Sequence, residues 1–210
     1  MTAIYNPRAR QVAGAIAVVA GATLLLRIFL SYEETGGVWE AVSYLSQFFT
    51  ILTNALVFAA ALAVAFGAAI APGVTKALTI AIVGVGIVYH AALAHLLDLS
   101  GMALLADHGV HTIVPAMTFI WWLFFLPKAP FQMSQIPSWV IWPLFYCGYI
   151  LIRASFSGFY PYPFLNLPAL GVSGLAQSIV VLCVAFIVIG LALTGLSRLV
   201  GGTQSKDQSR

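Results

Sequence analysis

Long apolar runs separated by short polar or glycine–proline breaks dominate the chain. A helix that crosses a membrane needs roughly 20 mainly apolar residues. Six segments reach that length, at about 10–31, 42–68, 75–97, 109–127, 137–156 and 172–197. Turn-forming residues mark their ends: EETGG at 33–37, APG at 71–73, DLSG at 98–101, PKAP at 127–130 and YPYPFLNLP at 160–168. The pattern predicts an all-α polytopic membrane protein, a six-transmembrane-helix bundle forming one domain over 1–200. The polar tail at 201–210, GGTQSKDQSR, is expected to be disordered. The first apolar run follows Arg8 and Arg10, as in a signal peptide, but it is too long and lacks a polar cleavage region, so it reads as a retained span.

Composition strengthens this picture. The 210 residues are 61% hydrophobic and only 7% charged, with a mean hydropathy of +1.00, whereas a soluble domain carries about a quarter charged residues. The formal charge of +3 does not point to nucleic acid, because no run of Lys or Arg occurs. The basic residues sort by loop instead, as the positive-inside rule requires. With the N-terminus inside, Arg8, Arg10, Lys76, Lys128, Arg198, Lys206 and Arg210 fall on the cytoplasmic side. Glu33, Glu34, Glu40, Asp98 and Asp107 fall on the other. Both termini are therefore expected to be cytoplasmic, and the compact loops point to a bacterial inner membrane. Cys147 and Cys183 lie inside apolar segments, which argues against a disulfide framework or a cysteine metal site.

Polar groups within a bilayer are costly, and here they collect. Gln47, Thr50 and Asn54 are three and four apart in the second span, on one helical face. Tyr89, His90 and His95 lie in the third, and Asp107, His108 and His111 open the fourth. Arg27 and Arg153 close the first and fifth. On the predicted topology all of these share the outer half of the membrane, which implies a polar cavity sunk from that face. Bland roles stand beside this reading: snorkelling for the arginines, interhelical hydrogen bonds for Gln47 and Asn54, and bonding to its own helix for Thr50. Tyr160 and Tyr162 read as interfacial belt residues.

Three chemistries fit such a cluster. A threonine hydroxyl becomes a nucleophile when a histidine takes its proton, and Asp107, one turn before His111, is placed to orient that imidazole; Thr50–His111–Asp107 then follows triad logic. Histidines on two helices also permit a bis-His haem, although His90 and His95, five apart, do not share a face. Transport is a third reading, but no midplane charge or inverted repeat supports it.

Three ordered stretches, GGVWEAVSYLSQFFTILTN (36–54), DHGVHTIVP (107–115) and GYILIRASFSGFYPYPFLN (148–166), carry a resemblance over nearly the whole chain. The chain resembles the androgen-induced membrane hydrolase family and its bacterial six-span relatives. The resemblance implies an intramembrane hydrolase of fatty acid esters of hydroxy fatty acids, with Thr50 as nucleophile, His111 as base, no metal and no cofactor. Animal members have asparagine where this chain has Asp107, and Thr53 is a second candidate hydroxyl. Under this reading the partner is a lipid or fatty acid ester. Arg27, Gln47, Asn54, Tyr89, His90 and Arg153 are candidates for substrate binding, the arginines through a substrate carboxylate. The other functional reading is a non-enzymatic membrane protein that binds a lipid or small molecule.

Overall fold

The computed structural model describes residues 5–128 and 130–207, with the backbone alone from 201. Among the described residues every regular element is a helix. Helix α1 (Pro7–Thr35) starts with Pro7 at its first turn and Asn6 as its cap, the Asn6 side chain accepting from the Ala9 amide. It stops at Gly36, whose φ of +76° is the left-handed turn that lets the chain leave a helix. A short α2 (Val38–Leu45) leads into α3 (Phe49–Ala65). Helix α4 (Pro72–Val88) continues through a π turn at Tyr89–Leu93, and α5 (Gly101–His108) joins α6 (Val114–Phe125) through a second π turn at Gly109–Ile113. Helices α7 (Ile136–Ser157) and α8 (Leu167–Asp207), the latter broken by a kink at Gly171, complete the fold.

Five helical segments are long and apolar enough to cross a membrane, or six if the bent pair α2–α3 forms one span. Their outward faces carry exposed Leu25, Phe29, Ile141, Phe145, Ile152, Val180 and Val184, an apolar coat suited to lipid. Inside, Ala9, Ala13, Ala17 and Ala20 of α1 pack with Val57, Ala61 and Val64 of α3 in one buried cluster. Small side chains let helix backbones approach, which replaces the hydrophobic drive that lipid does not supply.

Three features differ from the hydropathy reading. The second span is not one helix over 42–68: α2 and α3 meet at 100°. Tertiary partners on α7 support the break. Tyr146 Oη donates to Gln47 O at 2.7 Å, Tyr149 Oη to Ser46 O at 3.3 Å, and Arg153 to Ser43 O and to the hydroxyls of Ser43 and Ser46 at 2.8–2.9 Å. Carbonyls at a helix end need such donors, and an arginine there also meets the negative end of the α2 dipole. Second, the fourth span begins at Gly101 rather than near 109, so DHGVHT lies within a span of helical turns and not at its mouth. Third, the backbone of α8 stays helical to Asp207, within the tail expected to be disordered. Residues 208–210 of that tail, and Ala129 of the PKAP break, lie outside the described residues.

Candidate functional site

Two of the irregular turns build the site. In a π turn one extra residue is accommodated, which re-aims the side chains on that stretch. The turn at Gly109–Ile113 sits against α1: a Cβ on Gly109 would lie 2.3 Å from Thr23 Cγ2, so only glycine permits this approach. That packing brings Asp107 and His111 to the end of α1 that carries Arg27.

Asp107 is 1% exposed, and both its carboxylate oxygens are engaged. Oδ1 pairs with His111 Nδ1 at 3.0 Å. Oδ2 accepts a hydrogen bond from Tyr89 Oη. The Tyr89 and His111 rings stack with centroids 3.8 Å apart and planes 10° from parallel. A buried carboxylate needs such partners, and the closed set fixes the imidazole in orientation. With Nδ1 held by Asp107, Nε2 is the ring nitrogen left to act as a base.

A cavity of about 280 Å³ opens beside this set, lined by Arg27, Tyr44, Thr50, Tyr89, Asp107, His111 and Tyr162 among others. An adjoining apolar cavity of about 50 Å³, walled by Phe49, Val85, Pro143, Cys147, Leu182 and Phe186, shares Thr50, Tyr89, Leu93 and Tyr162 with it. Thr50 therefore stands where a polar and an apolar space meet. It occupies the first turn of α3, just past the bend. At such a start the first backbone amides have no acceptor within the helix. The Tyr162 hydroxyl is faced by the Thr50 side chain and by the Phe49 and Thr50 amides; burial dominates its environment and pushes its pKa up, so it stays a neutral donor. No hydrogen bond joins Thr50 to His111.

The other sequence candidates separate. Arg27 lines the cavity, and its Nε is buried without a partner. Thr53 is fully buried, accepts from Trp142 Nε1 at 3.0 Å and does not line the cavity, so Thr50 is the accessible hydroxyl. Asn54 is also fully buried; its amide donates to Thr50 O at 2.8 Å and Val110 O at 3.1 Å, which ties α3 to the π turn. Gln47 is buried and donates to Tyr44 O at 3.3 Å. Arg153 serves the α2–α3 break. None of Asn54, Gln47 and Arg153 lines the cavity. His90 is exposed, meets Thr112 Oγ1 at 3.0 Å and does not line the cavity; it borders an outer apolar groove on which His111 also lies. His95 and His108 are exposed. Among the described residues no three His, Cys, Asp or Glu side chains are grouped to hold a metal ion.

Tyr162 is the site residue that hydropathy missed. Its signal was the flanking Pro161 and Pro163, which line the cavity with it and hold the segment off a helical path. Compared with known proteins, the chain matches no family model, no curated protein and no solved structure.

Proposed function

We propose that the chain is an integral membrane hydrolase of lipid esters, with Thr50 as nucleophile, His111 as general base and Asp107 as the residue that positions it. The observation that carries this reading is the pairing of Asp107 Oδ1 with His111 Nδ1 at 3.0 Å beside a cavity that Thr50 also lines. In the reaction, Thr50 Oγ1 attacks the ester carbonyl while His111 Nε2 takes its proton. The tetrahedral intermediate expels the alcohol, which recovers that proton from His111. Water, activated by the same imidazole, then releases the acid from Thr50. The amides at the start of α3 and the Tyr162 hydroxyl are the donors nearest a developing oxyanion. Loss of one such donor typically costs about 100- to 1000-fold in rate.

A lipid ester suits the two adjoining spaces: apolar chains against Val85, Leu182 and Phe186, the ester at Thr50 and polar groups toward Arg27. The motif resemblance to the androgen-induced membrane hydrolases supports the same assignment. The proposal includes six spans, counting α2–α3 as one, with both termini cytoplasmic and a bacterial inner membrane as location. The missing Thr50–His111 hydrogen bond favours a second reading, a lipid-binding protein without catalysis.

Fluorophosphonate labelling of the purified full-length protein separates the two. Wild type and Thr53→Ala are expected to label, whereas Thr50→Ala and His111→Ala lose about 1000-fold or more in labelling rate. A folded wild type that does not label, or a Thr50→Ala variant that still does, sinks the hydrolase reading.

A further inference from the structure

The far end of the bundle holds a further cavity, apart from those at Thr50, which the hydrolytic reading does not use. It measures about 250 Å³ and is lined by Lys76, Lys128 and Arg198 together with Trp122, Phe131 and Thr194. From Lys76 along α4 to Tyr89, the first residue of the π turn, the chain climbs thirteen residues, about 20 Å at 1.5 Å per residue. The two cavities therefore lie at opposite ends of the same helix.

Among the described residues three cations line this space, and no carboxylate does. Lysines near a membrane edge ordinarily send their ammonium groups outward to water and headgroups. Lys76 does the reverse: it is 7% exposed, donates to Thr194 Oγ1 at 2.7 Å and stands 4.6 Å from the centre of the Trp139 ring. Lys128 donates to the carbonyls of Trp122 and Leu126 and sits 4.7 Å over the Trp122 ring. Arg198 lies 5.7 Å over Phe131. All of these partners are neutral. Each ammonium carries three donors, and the side-chain bonds of Lys76 fill only one of them. Trp122, 1% exposed, has an indole N–H without an acceptor.

Concentrated positive charge with unfilled donors calls for an anion rich in acceptor oxygens. A phosphate group supplies negative charge and several oxygens at once, and Lys, Arg and an indole N–H are all pure donors toward it. We infer that this cavity binds a phosphate group, either as the free ion or as the headgroup of an anionic phospholipid. The burial that pulls the Lys128 ammonium down to about 8 is a cost that such a ligand relieves.

The test uses the full-length protein in nonionic detergent, with tryptophan fluorescence read during titration. The probes are inorganic phosphate, dioctanoyl phosphatidic acid and, as a control without phosphate, dioctanoylglycerol. Saturable binding of phosphate or phosphatidic acid is expected, with none for dioctanoylglycerol. Binding of both phosphate probes means that the free ion suffices, and binding of phosphatidic acid alone assigns the site to a lipid headgroup. Lys76→Met and the exposed Arg198→Gln are each expected to weaken binding by about tenfold or more, the scale of a lost charge-assisted hydrogen bond. Arg198→Gln keeps the test decisive if Lys76→Met does not fold. The inference is overturned if neither phosphate probe binds, or if the folded variants bind as wild type does.

Discussion

At the Tyr89 end, Asp107 is buried with both oxygens bonded, one to His111 and one to Tyr89. At the Lys76 end, two lysines and an arginine share a cavity with only neutral partners. Both ends hold charge within one apolar bundle, and they satisfy it differently. The first network closes inside the chain, which makes it rigid and suited to holding an imidazole in one pose. The second is open and has spare capacity that the chain itself does not fill. On the cavity side of the closed set, the Nε of Arg27 is unpartnered. A closed network points to chemistry performed by the chain's own groups, and an open one to a ligand.

Stability variants test that contrast most directly. Asp107→Ala leaves the buried Tyr89 hydroxyl without its acceptor and His111 Nδ1 with only the Asp107 carbonyl at 3.2 Å, and a drop of about 3 kcal/mol is expected. Lys76→Met, by contrast, is expected to hold or raise the melting temperature of ligand-free protein, because it removes a buried cation that has no counter-charge. Equal losses in a thermal-shift assay would erase the distinction between the two ends.

The α2–α3 break supplies the next largest effect. Arg153→Met removes the donors that reach Ser43 and Ser46, and a loss of about 2 kcal/mol is expected. Thermal shift reads that loss, and a fall in fluorophosphonate labelling per folded molecule would show that the bend also sets the pose of Thr50.

The pH dependence of the open end sharpens the comparison further. Burial lowers the Lys128 pKa from the ordinary 10.5 to about 8. Between those values the unfolded chain binds the proton and the folded protein has released it. Stability therefore rises with pH across that window. A melting temperature that climbs between pH 8 and 10 in wild type and climbs less in Lys128→Met is the expected result. A identical slope in both proteins would remove Lys128 from the account. The smallest effect belongs to a residue in neither polar cavity: His90→Ala is expected to keep labelling within about twofold of wild type, since His90 is exposed and borders the outer groove.

Much of the fold was legible from hydropathy because each apolar run must satisfy its own backbone in lipid, and a helix does that locally. The Asp107–His111 contact was legible for the same reason: residues four apart on helical turns meet whatever the remainder of the chain does. The bend at 46–48 was not, because its free carbonyls are met by Tyr146, Tyr149 and Arg153, about a hundred residues away in sequence. Arg153 and Asn54 read as site residues only because polarity in an apolar run cannot by itself distinguish a cavity wall from a structural bond. Tyr162 was overlooked for the converse reason. A tyrosine near a span end is ordinary at an interface, and its approach to Thr50 depends on how the 160–168 segment folds back over α3.

The sequence by itself determined that this chain is helical and apolar enough for a membrane, and that Asp107 and His111 share one turn. Those are properties of spacing and composition over a few turns of helix. Only the tertiary structure decided that Thr50 and Arg27 join that turn at one cavity, that Arg153 supports a bend, and that Lys76 and Lys128 turn inward instead of toward lipid headgroups. Each of those outcomes rests on which distant helix supplies the partner for a buried polar atom, and no local pattern of residues encodes that choice.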